Sequence, residues 1–151
     1  MGDHALLEKW QQRVDSKLGT TDWLTIDQQR IDNFADTTLD HQVIHVDPEA
    51  PATKELGGTI AHGFLTLSML SYLGAQLTRP LNENRTVLNY GLNRVRFLTP
   101  VASGSRVRLH MTVKSVEEKP RGVLITYSSE VEIDGAVKPA LMAEQLALIL
   151  Y

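Results

Sequence analysis

The stretch "IAHGFLTLSMLSYLGAQL" (residues 60–77) decides the fold. Phe64, Leu65, Leu67, Met69, Leu70, Tyr72 and Leu73 leave it with no continuous polar face. A helix that is apolar nearly all round has to be covered on most sides. A bilayer is one possible cover, but spanning takes about 20 apolar residues. Here the apolar run from Gly63 to Ala75 is shorter and is broken by Thr66, Ser68 and Ser71. The cover must therefore be protein. Thr59 stands where an N-cap is expected.

Downstream, the hydrophobic period changes from helical to strand-like. The segments "TVLNYGLNRVRFL" (86–98), "RVRLHMTVKSV" (106–116), "GVLITYSSEVEI" (122–133) and "VKPALMAEQLALIL" (137–150) read as strands. In the second of these, Val107, Leu109, Met111 and Val113 alternate with Arg106, Arg108, His110 and Thr112, the pattern of a sheet with one buried face. "KPRG" supplies one turn and Asp134–Gly135 reads as a two-residue hairpin. The last segment also has helix-forming composition. Its place after a hairpin, with Pro139 near its start, favours a strand.

Upstream the reading is mostly helical. Leu6, Leu7, Trp10 and Val14 share one helix face. "TTDWLTI" (20–26) suits a short strand. Asp27 caps a second helix that turns Ile31, Phe34 and Ala35 inward and fades at Thr37–Thr38. Pro48 suits the first turn of a short helix near 48–54. The sum is an α+β fold, an antiparallel meander of about four strands plus one from the first half, wrapped round a long central helix. We expect one domain over residues 1–151. The open sheet edges predict a homodimer.

Composition narrows the function. The chain has 151 residues, with 15 Lys+Arg against 18 Asp+Glu, a net charge of -3. That balance gives no nucleic-acid footprint. The absence of cysteine removes disulfides, thiolate zinc sites and cysteine nucleophiles, and accords with a reducing compartment. "MGDHALLEKWQQRVD" lacks the apolar core of a signal peptide. A cytoplasmic protein away from membranes is expected.

Two short motifs carry chemistry. "DHQVIH" (40–45) brings Asp40, His41 and His45 together in an irregular segment. A carboxylate and an imidazole in reach of one water act on it as a base pair. Alternatively, Asp40 caps a turn and His45 is an ordinary loop histidine. A metal site from Asp40, His41, His45 and His62 is a third reading, weakened by the lack of an HExxH helix or other ligand motif, so no metal is expected. "AHGF" (61–64) opens the apolar helix, where unpaired N–H groups collect. The Gly63 N–H there can stabilise charge growing on a carbonyl oxygen, or Gly63 can simply allow tight helix–sheet packing. Taken together, the parts suit adding water across a double bond conjugated to a carbonyl, and equally thioester hydrolysis.

"FADTTLDHQVIHVDPEA" followed by "GGTIAHGFLTLSMLSYL" resembles the MaoC-like, (R)-specific enoyl-CoA hydratase family of hot-dog folds, including its short nodulation-protein-N-like members. The resemblance covers nearly the whole chain, from "DWLTI" to "KPALMAEQLALIL". It implies that Asp40 and His45 are the catalytic pair and that Gly63 supplies the oxyanion N–H. Gln42, His62 and Ser71 are the candidate substrate-binding residues. The usual family string is D-x-N-P-[apolar]-H, and here Gln42 and Val43 replace its Asn and Pro. The implied reaction is reversible hydration of a trans-2-enoyl thioester, on coenzyme A or acyl carrier protein, without a cofactor. Arg94, Arg96 and Lys138 are possible partners for coenzyme A phosphates, though solvated surface is the plainer reading for each. A hot-dog thioesterase and a non-catalytic acyl-thioester binder are the alternatives.

Overall fold

A computed structural model of the chain describes residues 2–151, with side chains from residue 4 onward. Eleven elements follow one another: α1 (Gly2–Gln11), β1 (Lys17–Thr20), β2 (Leu24–Ile26), α2 (Gln28–Thr38), α3 (Val43–Val46), α4 (Pro51–Glu55), α5 (Gly63–Thr78), β3 (Val87–Phe97), β4 (Ser105–Lys119), β5 (Gly122–Ile133) and β6 (Leu141–Leu150). One antiparallel sheet runs β1-β4-β5-β6-β3, and β2 pairs with the other end of β4's free edge. The architecture is the helix-and-curled-sheet fold expected, with six strands instead of five.

The expected alternation holds in β4. Val107, Leu109, Met111 and Val113 are buried and form the core with α5, while the intervening residues point outward. Leu65, Leu70 and Leu73 of α5 join that core. Gly74 of α5 sits so close to β4 that an added Cβ would meet Met111 Cε at 2.9 Å. α1 closes one end of the core through Leu6, Leu7 and Trp10, the Trp10 ring standing edge-on to Tyr127 at 5.9 Å.

Several expectations need correction. α1 stops at Gln11, so Val14 lies in the following turn and is exposed instead of continuing the buried face. The 20–26 stretch forms two strands, not one, because Thr21 turns inward and bonds Leu109 through backbone and hydroxyl alike. The short helix begins at Pro51, which takes the N1 position that Pro48 was expected to fill. Thr59 does not cap α5; its hydroxyl donates to Gln28 Oε1, and His62 is the N-cap residue. The link after Asp134–Gly135 is longer than a two-residue hairpin, and β6 starts at Leu141.

The largest difference is topological. β3 does not neighbour β4; it adds to β6 at the far edge. The 98–104 link therefore crosses the end of the sheet. It is held there by Ala61 N–H to Val101 O at 2.7 Å and Ser103 N–H to Thr59 O at 2.9 Å. Gly57 and Gly58, at φ +81° and +135°, make the turn that brings Thr59–Ala61 back to meet it. This crossing frames the start of α5. α5 is covered on one side only: Leu65, Thr66, Leu70, Leu73, Gly74 and Thr78 are buried, whereas Phe64 and Tyr72 are 69% and 57% exposed.

Candidate active site

The site forms where α2, α3 and the start of α5 meet. α2 is capped by Asp27, whose side chain accepts from the Arg30 N–H at 2.8 Å. It ends at Leu39 in the left-handed region, φ 63°, which swings the chain into Asp40. Asp40 is exposed, and its Oδ1 accepts from the Gln42 N–H at 3.3 Å, a turn contact of the kind Asp favours. The single turn of α3 then carries His45 inward, to 7% exposure.

His45 is held from three directions. Its Nδ1 lies 2.8 Å from the Ile60 carbonyl oxygen. A carbonyl only accepts, so Nδ1 carries the proton and Nε2 keeps a free lone pair. Its own carbonyl accepts from Gln28 Nε2 at 2.8 Å, and Gln28 also accepts from Thr59. The third contact is a ring. His62 stacks on His45 with centroids 3.8 Å apart and an angle of 23°.

The ligand-type atoms of Asp40, His45 and His62 lie within 4.8 Å of one another. A water hydrogen-bonded to Asp40 and His45 at about 2.8 Å each fits that separation. A metal fits the three poorly. Imidazole binds an ion in its ring plane, and one ion cannot lie in the planes of two stacked rings without one of them turning.

Gly63 begins α5, and its N–H has no acceptor among the described residues. An added Cβ would meet the Phe97 ring at 3.1 Å, so the packing reason for glycine is real as well. His45 and Gly63 share one cleft of about 310 Å³, walled by Thr66, Phe97, Leu98 and Pro100. The cleft is mostly apolar, with Thr66 and Thr99 as the polar side chains beside His45.

The other candidates are placed as follows. His41 turns away, its Nε2 2.8 Å from Asp36 Oδ1, and is exposed. Gln42 is exposed at the start of α3, with no side-chain hydrogen bond to the helix end. His62 is buried and bonded to the Asp40 backbone. Ser71 sits eight residues along α5, about 12 Å from Gly63, with its hydroxyl 3.3 Å from Asn89 Oδ1. Arg94 and Arg96 pair with Glu144 and Met142 of β6 on the sheet face opposite α5. Lys138 is exposed in the β5–β6 link. Gln28 and Phe97 were missed by sequence reasoning. Nothing local marks them, because Gln28 acts on residues 17 and 31 positions away and Phe97 arrives from the opposite strand.

Comparison with known proteins identifies the family. The MaoC-like domain model matches residues 9–133. The chain belongs to the MaoC-like dehydratase family. It is 46% identical over 139 residues to nodulation protein N of Rhizobium leguminosarum bv. viciae, covering 91% of this chain and 86% of that one. It is 47% identical over 131 residues to 3-hydroxyacyl-thioester dehydratase Z of Mycobacterium tuberculosis, covering 86% of each. Among solved structures, the (R)-hydratase of A. caviae involved in PHA biosynthesis superposes with a TM-score of 0.73 at 22% identity, over 90% of this chain and 96% of that one. The fold is thus the hot-dog fold of MaoC-like hydratases, and as a hydratase/dehydratase of the MaoC family the protein is a hydro-lyase.

Proposed function

We propose that this protein is an (R)-specific enoyl-thioester hydratase of the enoyl-CoA hydratase 2 type. It acts reversibly, interconverting trans-2-enoyl and (R)-3-hydroxyacyl thioesters. The carrying observation is that the Asp40 carboxylate and the His45 ring come within 4.8 Å of each other while His45 shares a cleft with the free Gly63 N–H. Asp40 and His45 Nε2 hold a water against Cβ. As the new C–O bond forms, the pair takes the water proton and the C=C electrons move to the thioester oxygen. Gly63 N–H stabilises that enolate oxygen, and a proton returned to Cα completes the addition. An oriented acid–base partner contributes typically about 10²–10⁴-fold and an oxyanion donor about 10²–10³-fold.

The 47% identity to a 3-hydroxyacyl-thioester dehydratase supports this substrate class. So does the shape of the groove beside α5. Beyond the His45 cleft, two further hollows of about 290 and 460 Å³ follow the helix past Ser71 and Asn89 as far as Thr78. An acyl tail running along them would pass Ser71, its candidate contact, while Gln42, the other candidate, donates its backbone N–H to Asp40. In this reading the 151 residues act as one domain on coenzyme A or acyl carrier protein thioesters, in the cytoplasm.

A second copy of the chain completes the assembly. The uncovered side of α5 and the outer edge strand β3 expose Phe64, Tyr72, Tyr90, Leu92, Phe97 and Leu98. An apolar surface of this kind beside an unpaired strand edge suits an isologous homodimer, which light scattering on purified protein would register as twice 16.8 kDa.

The deciding experiment uses crotonyl-CoA. Loss of the conjugated absorbance without release of thiol, giving (R)-3-hydroxybutyryl-CoA on a chiral column, is the expected result. Release of thiol would make it a thioesterase, and binding with neither change would make it an acyl-thioester binder.

A further inference from the structure

We infer that His62 is a positioning residue for the hydration reaction: its ring is the platform that holds the His45 imidazole, and its Nε2–H tethers the backbone of Asp40. The inference rests on the function proposed above. His62 was expected to contact substrate, yet it is 2% exposed; neither it nor Asp40 lines the cleft that His45 and Gly63 share, but Asp40 is exposed and open to a water where His62 is not. What it touches is the machinery. Nε2 lies 3.0 Å from the Asp40 carbonyl oxygen, across 22 residues of sequence. One ring face covers His45 at 3.8 Å between centroids, and Phe34 packs on the ring at 4.9 Å. The residue itself is the N-cap of α5, directly before Gly63. One side chain thus joins the segments that carry the acid, the base and the oxyanion donor.

The tautomer of the neutral ring follows from the contacts. A carbonyl acceptor requires the hydrogen on Nε2, which leaves Nδ1 as a lone pair in the neutral ring. Nδ1 is buried and has no partner among the described residues. With Nε2 committed to the Asp40 carbonyl and Nδ1 buried without a partner among the described residues, the ring has no hydrogen-bonded route to exchange protons with substrate. Its role is geometric. A displacement of about 1 Å in a reacting group costs on the order of 10²-fold, and Asp40 sits on an exposed segment whose side-chain contact is a 3.3 Å turn bond to Gln42.

Three variants separate the two contacts. His62→Phe keeps the flat platform and loses the donor, His62→Gln keeps a donor and loses the platform, and His62→Ala loses both. Each is assayed for kcat and KM on crotonyl-CoA, for melting temperature, and by ¹⁵N–¹H spectra of the His45 ring, which report its tautomer without turnover. We expect His62→Ala to lower kcat about 10²-fold with KM within about 3-fold, and to blur the single Nδ1–H pattern of His45. Phe and Gln should each restore part of kcat. A rise in KM at constant kcat would make His62 a substrate contact and overturn the inference. So would a lower melting temperature with kcat within about 3-fold of wild type, or an unchanged His45 tautomer pattern in His62→Ala. If Ala does not fold, Phe and Gln carry the test. If the wild-type protein hydrates nothing, the proposed function falls separately, and the His45 spectra still decide whether His62 positions that ring.

Discussion

His110 and His45 both make ring hydrogen bonds, and only one of them belongs to the candidate site. His110 stands on the outer face of β4. Its Nε2 is 2.5 Å from Glu132 Oε2, and Nδ1 faces Thr20 Oγ1 at 3.0 Å and Lys17 Nζ at 3.2 Å. Arg108 forks onto the same Glu132 and lies over the Trp23 ring, 4.2 Å from its centroid. By charge and hydrogen-bond count this is the richer cluster. It opens onto water, however, and none of the hollows beside α5 reaches it. Among the described residues His45 has no carboxylate bonded to its ring, only a carbonyl on Nδ1 and a stacked neighbour. Its distinction is a lone pair left free in an apolar cleft. Satisfied charges hold a surface together; an unsatisfied acceptor beside a cavity is available for chemistry.

The largest effect that could break this contrast is loss of the site itself. Asp40→Asn and His45→Ala should each lower kcat by about 10²–10⁴-fold while the melting curve keeps its shape. Crotonyl-CoA turnover within a few-fold of wild type in both would remove their roles. Next is Gly63→Ala, expected to lower kcat/KM about 10²-fold because the methyl crowds both Phe97 and the thioester oxygen. Adding Phe97→Ala should relieve the crowding and recover melting temperature but not rate. Recovery of both together would leave Gly63 a packing residue.

At the other histidine the effects should be small. His110→Ala is expected to leave turnover within about 2-fold and to lower Tm by less than about 3 °C, as for an exposed ion-pair cluster. The smallest effect is one of pH. Arg108, and then His110, hydrogen-bond to Glu132 and hold its carboxyl below the ordinary value of 4.5. A lowered folded pKa gives stability that is present above the ordinary value and is lost as the pH falls through the folded one. The Tm difference between wild type and Glu132→Gln should therefore be largest near neutrality, shrink below about pH 4, and fall with added salt. A difference that grew on acidification would contradict the ion-pair reading.

How much of this was legible beforehand depends on the distance between the residues involved. Asp27 as a cap and the alternating faces of β4 act over two to four residues, and both stand as read. The nearness of Asp40 and His45 was also visible from their spacing of five, although the stretch read as irregular loop forms the single turn α3. His62 could be seen only as a histidine near a helix start. Its bond to Asp40 joins positions 22 apart, and nothing in "AHGF" says which way the ring turns. The β3 misplacement has the same origin. A strand pattern shows that a segment pairs, not with which edge, and the crossing link 98–104 carries no signal beyond its length.

By itself, then, the sequence settled that β4 buries one face and that Asp27 caps α2, and it supplied the side chains able to do acid–base work. Those properties follow from periodicity and from the functional groups, which are local. Only the tertiary structure decided that β3 closes the sheet beside β6, that the second side of α5 stays open, and that His62 lies flat on His45. These depend on which distant surfaces meet, and many chain paths satisfy the same local pattern while only one brings those surfaces together.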